Sequence, residues 1–388
     1  MTPAARHAAA IEILDKLLSG EAAEKALTNW ARSNRFAGSG DRHAVRDIVF
    51  DALRCKRSYT SLGGAQTGRG LVLGALRATG VAPETVFTGA GYAPAALSAE
   101  ESAAGLVPSG AAALDCPDWL VPELKRSLGT KFAPVMQRLQ SRAPVFLRAN
   151  LRKASPEAAM DALAQEGITT SPHPLARTAL EVTENPRRVQ GSKAFLSGLV
   201  ELQDAASQAV VETLALTPQM RVLDYCAGGG GKSLAMAGGG DARFFAHDIA
   251  PGRMKDLPIR AKRAGVRIET LATAALQKAD GFDLVLADAP CSGSGSWRRA
   301  PEAKWALTPD RLAHLCQTQA EVMDAASALV RGDGIFAYAT CSLLQMENED
   351  QVTAFLGRNA GWTLLQQRVL TPLEGGDGFY IAVLRAKA

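Results

Sequence analysis

The sequence predicts an α/β protein in three parts. A mostly parallel sheet with helices on both faces forms the C-terminal part, a small α+β unit precedes it, and an all-helical region comes first. Three observations carry this reading. Strand-like and helical segments alternate through the last part of the chain. A strand–helix–strand run begins at Val145. The first stretch instead repeats apolar residues at helical spacing. The expected parts are 1–114 (helices plus a linker), 115–204 (α+β) and 205–388 (open sheet).

In the first part, Ala8, Ile11, Leu14, Leu17 and Leu18 line one helix face and Gly20 stops it. A second set, Val45, Ile48, Val49, Ala52 and Leu53, follows Asp41, a candidate cap, and its polar face carries Arg42, Arg46, Arg54, Lys56 and Arg57. Residues 79–115 are rich in Gly, Ala, Pro and Ser and read as a loose connection. A new region starts at Cys116. Val145–Asn150 reads as a strand, Ser155 caps a helix to Gln165, and Gly167–Thr170 suggests another strand, as in a small αβ-plait. In the last part, Arg221–Asp224, Phe244–Asp248 and Phe282–Asp288 read as strands. A long helix follows Thr308-Pro309, with Leu312, Leu315, Val322, Met323 and Leu329 on one face. After Gly332-Asp333-Gly334 comes a buried strand, Ile335–Ala339.

Composition narrows the class. Of the 388 residues, 47% are apolar and 21% charged, which excludes a wholly disordered chain. No apolar run approaches the roughly 18–20 residues of a membrane span. The amphipathic start, with Glu12 and Asp15, is unlike a secretory leader, so a cytoplasmic protein is expected. Six cysteines lie at 55, 116, 226, 291, 316 and 341 without a CxxC pair, so neither a disulfide framework nor a metal site is expected. Net charge is +4, yet residues 1–80 hold twelve Lys/Arg against seven Asp/Glu and residues 120–200 twelve against six. That asymmetry points to a polyanion met by the basic regions.

The chemistry sits in loops at the carboxyl ends of strands, where open α/β sheets bind ligands. Asp224-Tyr225-Cys226-Ala227-Gly228-Gly229-Gly230-Gly231-Lys232-Ser233 is no P-loop, because the required first glycine falls on Cys226. The dinucleotide fingerprint fails as well, at Ser233. What remains is a glycine turn that lets backbone approach a ligand, with Asp248 placed to meet ribose hydroxyls. Any adenosine-containing cofactor would fit. Asp288-Ala289-Pro290-Cys291 closes the third strand, beside Arg298, Arg299, Lys304 and Trp305, which suit phosphates and a stacked base. A solvated loop would explain the arginines equally well. Cys341 ends the next strand, so two thiols, Asp288 and Lys232 should share one edge, as a nucleophile and its helpers would.

Four segments carry a resemblance: Asp-x-Cys-Ala-x-x-Gly-Gly-Lys-Ser (224–233), Asp-Ala-Pro-Cys-Ser-Gly-Ser-Gly (288–295), Arg-Arg-x-Pro-Glu-x-Lys-Trp (298–305) and Tyr-Ala-Thr-Cys-Ser with Glu347-Asn348-Glu349 (338–349). Together they resemble the RsmB/Nop2/Sun family of S-adenosylmethionine-dependent RNA cytosine-5 methyltransferases. Phe195-Leu196-x-Gly198 and Glu201–Ser207 resemble that family's entry into its catalytic domain, and Phe146–Asn150 its small RNA-binding domain. Ser39–Arg42 through Asp51–Arg54 is similar to the NusB-like helical domain of the RsmB branch. The resemblance implies a Rossmann-like methyltransferase domain behind a small α+β RNA-binding domain and an all-α NusB-like domain. Two departures stand out: Gly229 occupies a position where the family usually has proline, and Leu271–Ala275 lacks the acid that contacts adenosine in the family.

By the same resemblance, Cys341 adds to carbon 6 of cytosine, Cys291 assists proton removal and release, Asp288 meets the base edge and Lys232 balances charge. S-adenosylmethionine would rest on Asp224, Cys226, Ala227, Gly228, Gly229, Gly230, Gly231, Lys232, Asp248 and Asp288. RNA would meet Arg148, Asn150, Arg298, Arg299, Lys304 and Trp305. The implied partner is ribosomal RNA or a small-subunit assembly intermediate, with no membrane and no metal. Two rivals remain at this stage: a DNA cytosine methyltransferase that uses Cys291, and a non-catalytic RNA-binding assembly factor.

Overall fold

The computed structural model describes residues 1–387. The chain divides into two compact units, Met1–Arg142 with Trp297–Ala306, and Ala143–Ser296 with Leu307–Ala388. Residues 116–142, expected with the α+β part, fold as helices Val121–Leu128 and Phe132–Leu139 within the first unit.

The first unit is helical. Helices Pro3–Leu18, Ala23–Ser33, Ser39–Arg54 and Gly68–Ala78 pack Ile13, Leu14, Trp30, Val45, Val49, Leu71 and Leu73 into one core. Asp41 is not the cap of its helix. It lies in the first turn, where its carboxylate accepts from Gly38 N–H at the cap position and pairs with Arg6 and the N-terminal ammonium. The loose connection holds only short turns, Pro83–Thr85, Ala99–Ala103 and Gly110–Ala113. Several of the arginines counted as surplus charge are ion-paired: Arg46 with Glu24, Arg57 with Asp118, Arg69 with Glu101 and Arg142 with Asp47.

A distant segment, Trp297–Ala306, completes this unit. The last carbonyls of a helix lack intrahelical donors. Here Trp305 Nε1 donates to Leu53 O at 2.7 Å and Lys304 Nζ to Arg54 O at 3.1 Å, at the end of helix Ser39–Arg54. Glu302 accepts Ala23 N–H at 2.7 Å, at the start of helix Ala23–Ser33. Arg54 Nε in turn donates to Arg298 O. Arg298 and Lys304 are fully buried. The expectation that Arg298, Lys304 and Trp305 face RNA is therefore corrected, since they cap and fill the helical unit. Arg299 is the one residue of that set left exposed.

Burial pushes the Lys304 ammonium down to about 8, against the pull of Asp115, Cys55 and Cys116. An unfolded lysine titrates near 10.4, so between about pH 8 and about pH 10.4 the unfolded chain binds the extra proton. Through that window this group makes stability rise with pH. Below it, the buried charge costs its full amount. Cys55 and Cys116, pushed up by burial to about 12 and about 11, act with the opposite sign in the same range. The difference between two proteins isolates the lysine. Urea unfolding of Lys304→Met should lose the alkaline rise relative to the parent, and parallel pH profiles would show that burial leaves Lys304 titrating as it does in the unfolded chain.

The second unit holds two sheets. The small one has order β2-β3-β1-β4, built from β1 (Val145–Ala149), β2 (Thr170–Pro172), β3 (Ala179–Val182) and β4 (Val200–Leu202), with helix Pro156–Gln165 capped by Ser155 as expected. β3 pairs antiparallel with both β1 and β2. The large sheet has order β10-β11-β9-β8-β5-β6-β7. Its strands are β5 (Arg221–Asp224), β6 (Arg243–Ala246), β7 (Ile268–Thr270), β8 (Phe282–Asp288), β9 (Val330–Thr340), β10 (Trp362–Leu370) and β11 (Phe379–Ala386). β9, β8, β5, β6 and β7 run parallel, and β11 joins β9 antiparallel. Val222, Leu284, Leu286, Ala337 and Ala339 bury one face of the sheet, and Leu223, Val285, Phe336 and Tyr338 the other. β9 starts earlier than expected: Gly332–Gly334 lies inside it, beside a register shift against β8. Strand order reverses at β5, whose neighbours are β6 and β8, so a crevice opens at the carboxyl ends of these strands.

Candidate active site

The glycine loop leaves β5 at Asp224 and enters helix Gly231–Gly239. Asp224 is 1% exposed; its Oδ2 accepts from Ser233 Oγ at 2.6 Å and its Oδ1 has no partner among the described residues. Burial lifts its carboxyl to about 7, with Asp288 adding to the rise. Gly230 sits at φ +80°, and a Cβ there would fall 2.3 Å from Leu257 Cδ1, so only glycine allows this turn. Loop carbonyls are also held: Arg148 donates to Gly231 O at 3.0 Å and Arg260 to Gly229 O. The flexibility implied by Gly229 in place of proline is thus offset by a guanidinium.

Asp248 ends the β6 loop buried, and its carboxylate faces the glycine loop. Oδ2 accepts Gly228 N–H at 2.9 Å and lies 3.1 Å from Arg253, while Oδ1 accepts Ala250 N–H at 2.9 Å. Ile249 beside it is 79% exposed. At the edge where the family's acid is missing, His247 Nε2 lies 3.0 Å from Thr273 Oγ1 and its Nδ1 2.8 Å from Tyr225 O.

β8 and β9 are parallel neighbours with Asp288 opposite Ala339. That register brings the loops beyond them together, and the Cys291 and Cys341 sulfurs stand 3.4 Å apart. The Cys341 contact, then burial, push the Cys291 thiol well up, and Glu347 adds to this. Lys232, 7% exposed, donates to Asp288 Oδ2 at 2.7 Å. Burial works against its ammonium, but Asp288, Cys341 and Asp224 together hold it above the ordinary lysine range. Cys226 is pushed far up by burial and its acidic neighbours, as befits an inert thiol.

Arg148 and Asn150 do not face outward as expected for RNA contacts. Arg148 is 6% exposed, bound to Gln203 and Gly231, and burial brings it down to about 10. Asn150 donates to Gly198 O at 2.9 Å and Ala264 O at 2.8 Å. Both tie the small sheet to the glycine-loop side of the unit. Sequence reasoning missed the groups behind the thiols, Ser292, Gln319 and Ser342. Ser292, Ser342 and Glu347 lie inside quoted motifs without being given a role there, and Gln319 gave no signal at all.

The profile of the 16S rRNA methyltransferase RsmB/F family matches residues 211–385, and that of the RsmF/B-like ferredoxin-like domain matches residues 116–190. The ribosomal RNA small subunit methyltransferase B of Citrobacter koseri is 33% identical over 291 residues, 70% of this chain and 66% of that protein. The chain belongs to the RsmB/F methyltransferase family. It spans about two thirds, 66%, of the length of that relative. Among solved structures, PH0851 matches 99% of this chain and 99% of its own, with TM-score 0.75 and 22% identity. NSun6 from Pyrococcus horikoshii, solved with SFG, matches 70% of this chain and 98% of its own, with TM-score 0.62 and 18% identity. Both share the fold, so in this RsmB/F chain the crevice at β5, β8 and β9 belongs to a Rossmann-like methyltransferase sheet.

Proposed function

We propose that this RsmB/F chain transfers a methyl group from S-adenosylmethionine to carbon 5 of a cytosine in small-subunit ribosomal RNA, through a Cys341 adduct at carbon 6. The observation that carries this is the pair of thiols 3.4 Å apart at the ends of adjacent parallel strands, beside the Lys232–Asp288 ion pair. Bound in the crevice, the cofactor would supply the methyl group that carbon 5 takes up. The residues fit it. Asp224 Oδ1 is a buried acceptor without a partner among the described residues, suited to an ammonium, Gly228 and Gly230 supply the left-handed backbone (φ +52° and +80°) that turns the loop tightly, and exposed Ile249 offers an apolar seat for an adenine face. The Cys341 thiolate adds to carbon 6 while the Lys232–Asp288 pair at the base edge passes ring nitrogen 3 a proton, which it takes back when the sulfur–carbon 6 bond breaks. Cys291 then takes the proton from carbon 5, the sulfur–carbon 6 bond breaks, and Cys341 is free again. The helical unit, Met1–Arg142 with Trp297–Ala306, is read as the NusB-like arm that brings the RNA.

Incubating the protein with 16S rRNA and labelled cofactor, then mapping 5-methylcytosine, tests the assignment. Label on another base position or on DNA alone would overturn it. Asp248→Ala should weaken cofactor binding about ten- to hundredfold by calorimetry, because the mutation frees Gly228 N–H and loosens the loop as well as removing a ribose acceptor. RNA affinity should stay unchanged. Parental cofactor affinity in the variant would refute that role.

A further inference from the structure

Behind the thiols lies a charged group that the chemistry above does not use. Glu347 is fully buried on the turn Gln345–Glu347. Four donors converge on its two oxygens: Ser292 N–H at 2.8 Å, Ser292 Oγ at 2.5 Å, Ser342 Oγ at 2.5 Å and Gln319 Nε2 at 2.9 Å. Ser292 follows Cys291, and Ser342 follows Cys341. One carboxylate thus grips both thiol loops at the residue next to each sulfur. Gln319, also fully buried, donates its other amide hydrogen to Pro290 O at 3.0 Å, the residue before Cys291. The loops are stitched further by Ser294 Oγ, which lies 3.1 Å from Ser342 Oγ and accepts Leu343 N–H at 2.7 Å. A charge with no cationic partner inside a protein persists only where several donors replace its hydration. Here every one of those donors belongs to, or braces, a thiol loop.

We propose that Glu347 is a positioning residue: with Gln319 it clasps the Cys291 and Cys341 loops in register and sets a fixed negative charge behind Cys291, so that Cys341 is the thiol that gives up its proton. The proposal rests on the two-thiol reading of the site. The ionisable groups around Cys291 agree with it. The Cys341 contact, burial and Glu347 all disfavour a negative charge on Cys291, whereas Lys232 interacts with Cys341. Glu347 thus separates two chemically identical thiols into one that ionises first to attack carbon 6 and one whose thiolate, harder to form, is the stronger base toward the carbon 5 proton.

Site-resolved alkylation of the full-length protein, without RNA or cofactor, tests this. Iodoacetamide labelling of each cysteine, followed by mass spectrometry from about pH 6 to about pH 10, reads which thiol ionises. In Glu347→Gln, which keeps shape and removes charge, the Cys291 midpoint should fall by about one pH unit, and Glu347→Asp should restore most of it. A group that only fills space would leave the midpoint where it was. Register is read separately with phenylarsine oxide, which bridges two thiols held close. Gln319→Met keeps the charge but removes both braces, and should capture the arsenical about tenfold more weakly. An unchanged Cys291 midpoint in Glu347→Gln, or parental capture in Gln319→Met, overturns the proposal. If Glu347→Gln does not fold, capture by Gln319→Met decides alone. Neither reagent involves RNA, so failure of the clasp is distinguishable from failure of the methyl-transfer reading.

Discussion

Cys341→Ala should form no covalent bond to RNA and lose turnover by on the order of 10⁴-fold or more, the scale seen when a nucleophile is removed. Cys291→Ala should behave differently. It retains the attacking sulfur, so it can add to carbon 6 and accept methyl, but it lacks the group that takes the carbon 5 proton. A protein–RNA adduct should therefore accumulate and survive denaturing electrophoresis. The double variant should show none. The geometry sharpens this expectation: the sulfurs are 3.4 Å apart, so both can reach neighbouring carbons of one base. The Cys291 thiol is pushed up by its Cys341 contact and by burial, and Lys232 sits in the field of Cys341. A thiol with only a packing role would leave turnover near normal when replaced. An adduct found in Cys341→Ala and absent from Cys291→Ala would assign the attack to Cys291 and overturn the mechanism.

Much of this site was legible because its residues stand at strand ends. Asp224, Asp288 and Cys341 each follow or close a short apolar run, and parallel strands place their carboxyl ends together whatever the details. The clasp was illegible for the opposite reason. Gln319 lies on the buried face of helix Pro309–Ser327, where its polarity breaks the apolar pattern without naming a partner. The arginines and Trp305 of segment 298–305 misled because composition reports charge, not burial. A side chain that caps a helix made more than 240 residues earlier, as Lys304 and Trp305 do, has no local signature. Arg148 and Asn150 failed likewise: a basic residue on a strand reads as surface, but their donors are spent on backbone carbonyls of Gly231, Gly198 and Ala264. β10 and β11 escaped because β10 is mostly exposed and carries a bulge, which erases the alternation a strand would show.

Gly295→Ala should disable the protein as thoroughly as loss of the nucleophile, by a different route. A Cβ at 295 would lie 2.1 Å from Gly378 O and 2.5 Å from its carbonyl carbon. Those are backbone atoms just before β11, so no rotamer change can relieve the clash. Gly295 also donates its N–H to Cys341 O and accepts from Gly378 N–H, each at 2.9 Å. Overpacking costs roughly 1–3 kcal/mol and each lost hydrogen bond about 1 kcal/mol, so several kcal/mol should vanish from the unfolding free energy. Relief must come by moving the Cys341 loop or the start of β11, and either motion breaks the register of the thiols. Urea unfolding and phenylarsine oxide capture should fall together. Gly357, in helix Glu349–Arg358 with nothing near its missing Cβ, gives the control. Gly357→Ala should be neutral or gain up to about 1 kcal/mol, since alanine is the better helix former. If Gly295→Ala unfolds at the parental urea concentration and still captures the arsenical, the approach of these two backbones is not what fixes Cys341 against Cys291.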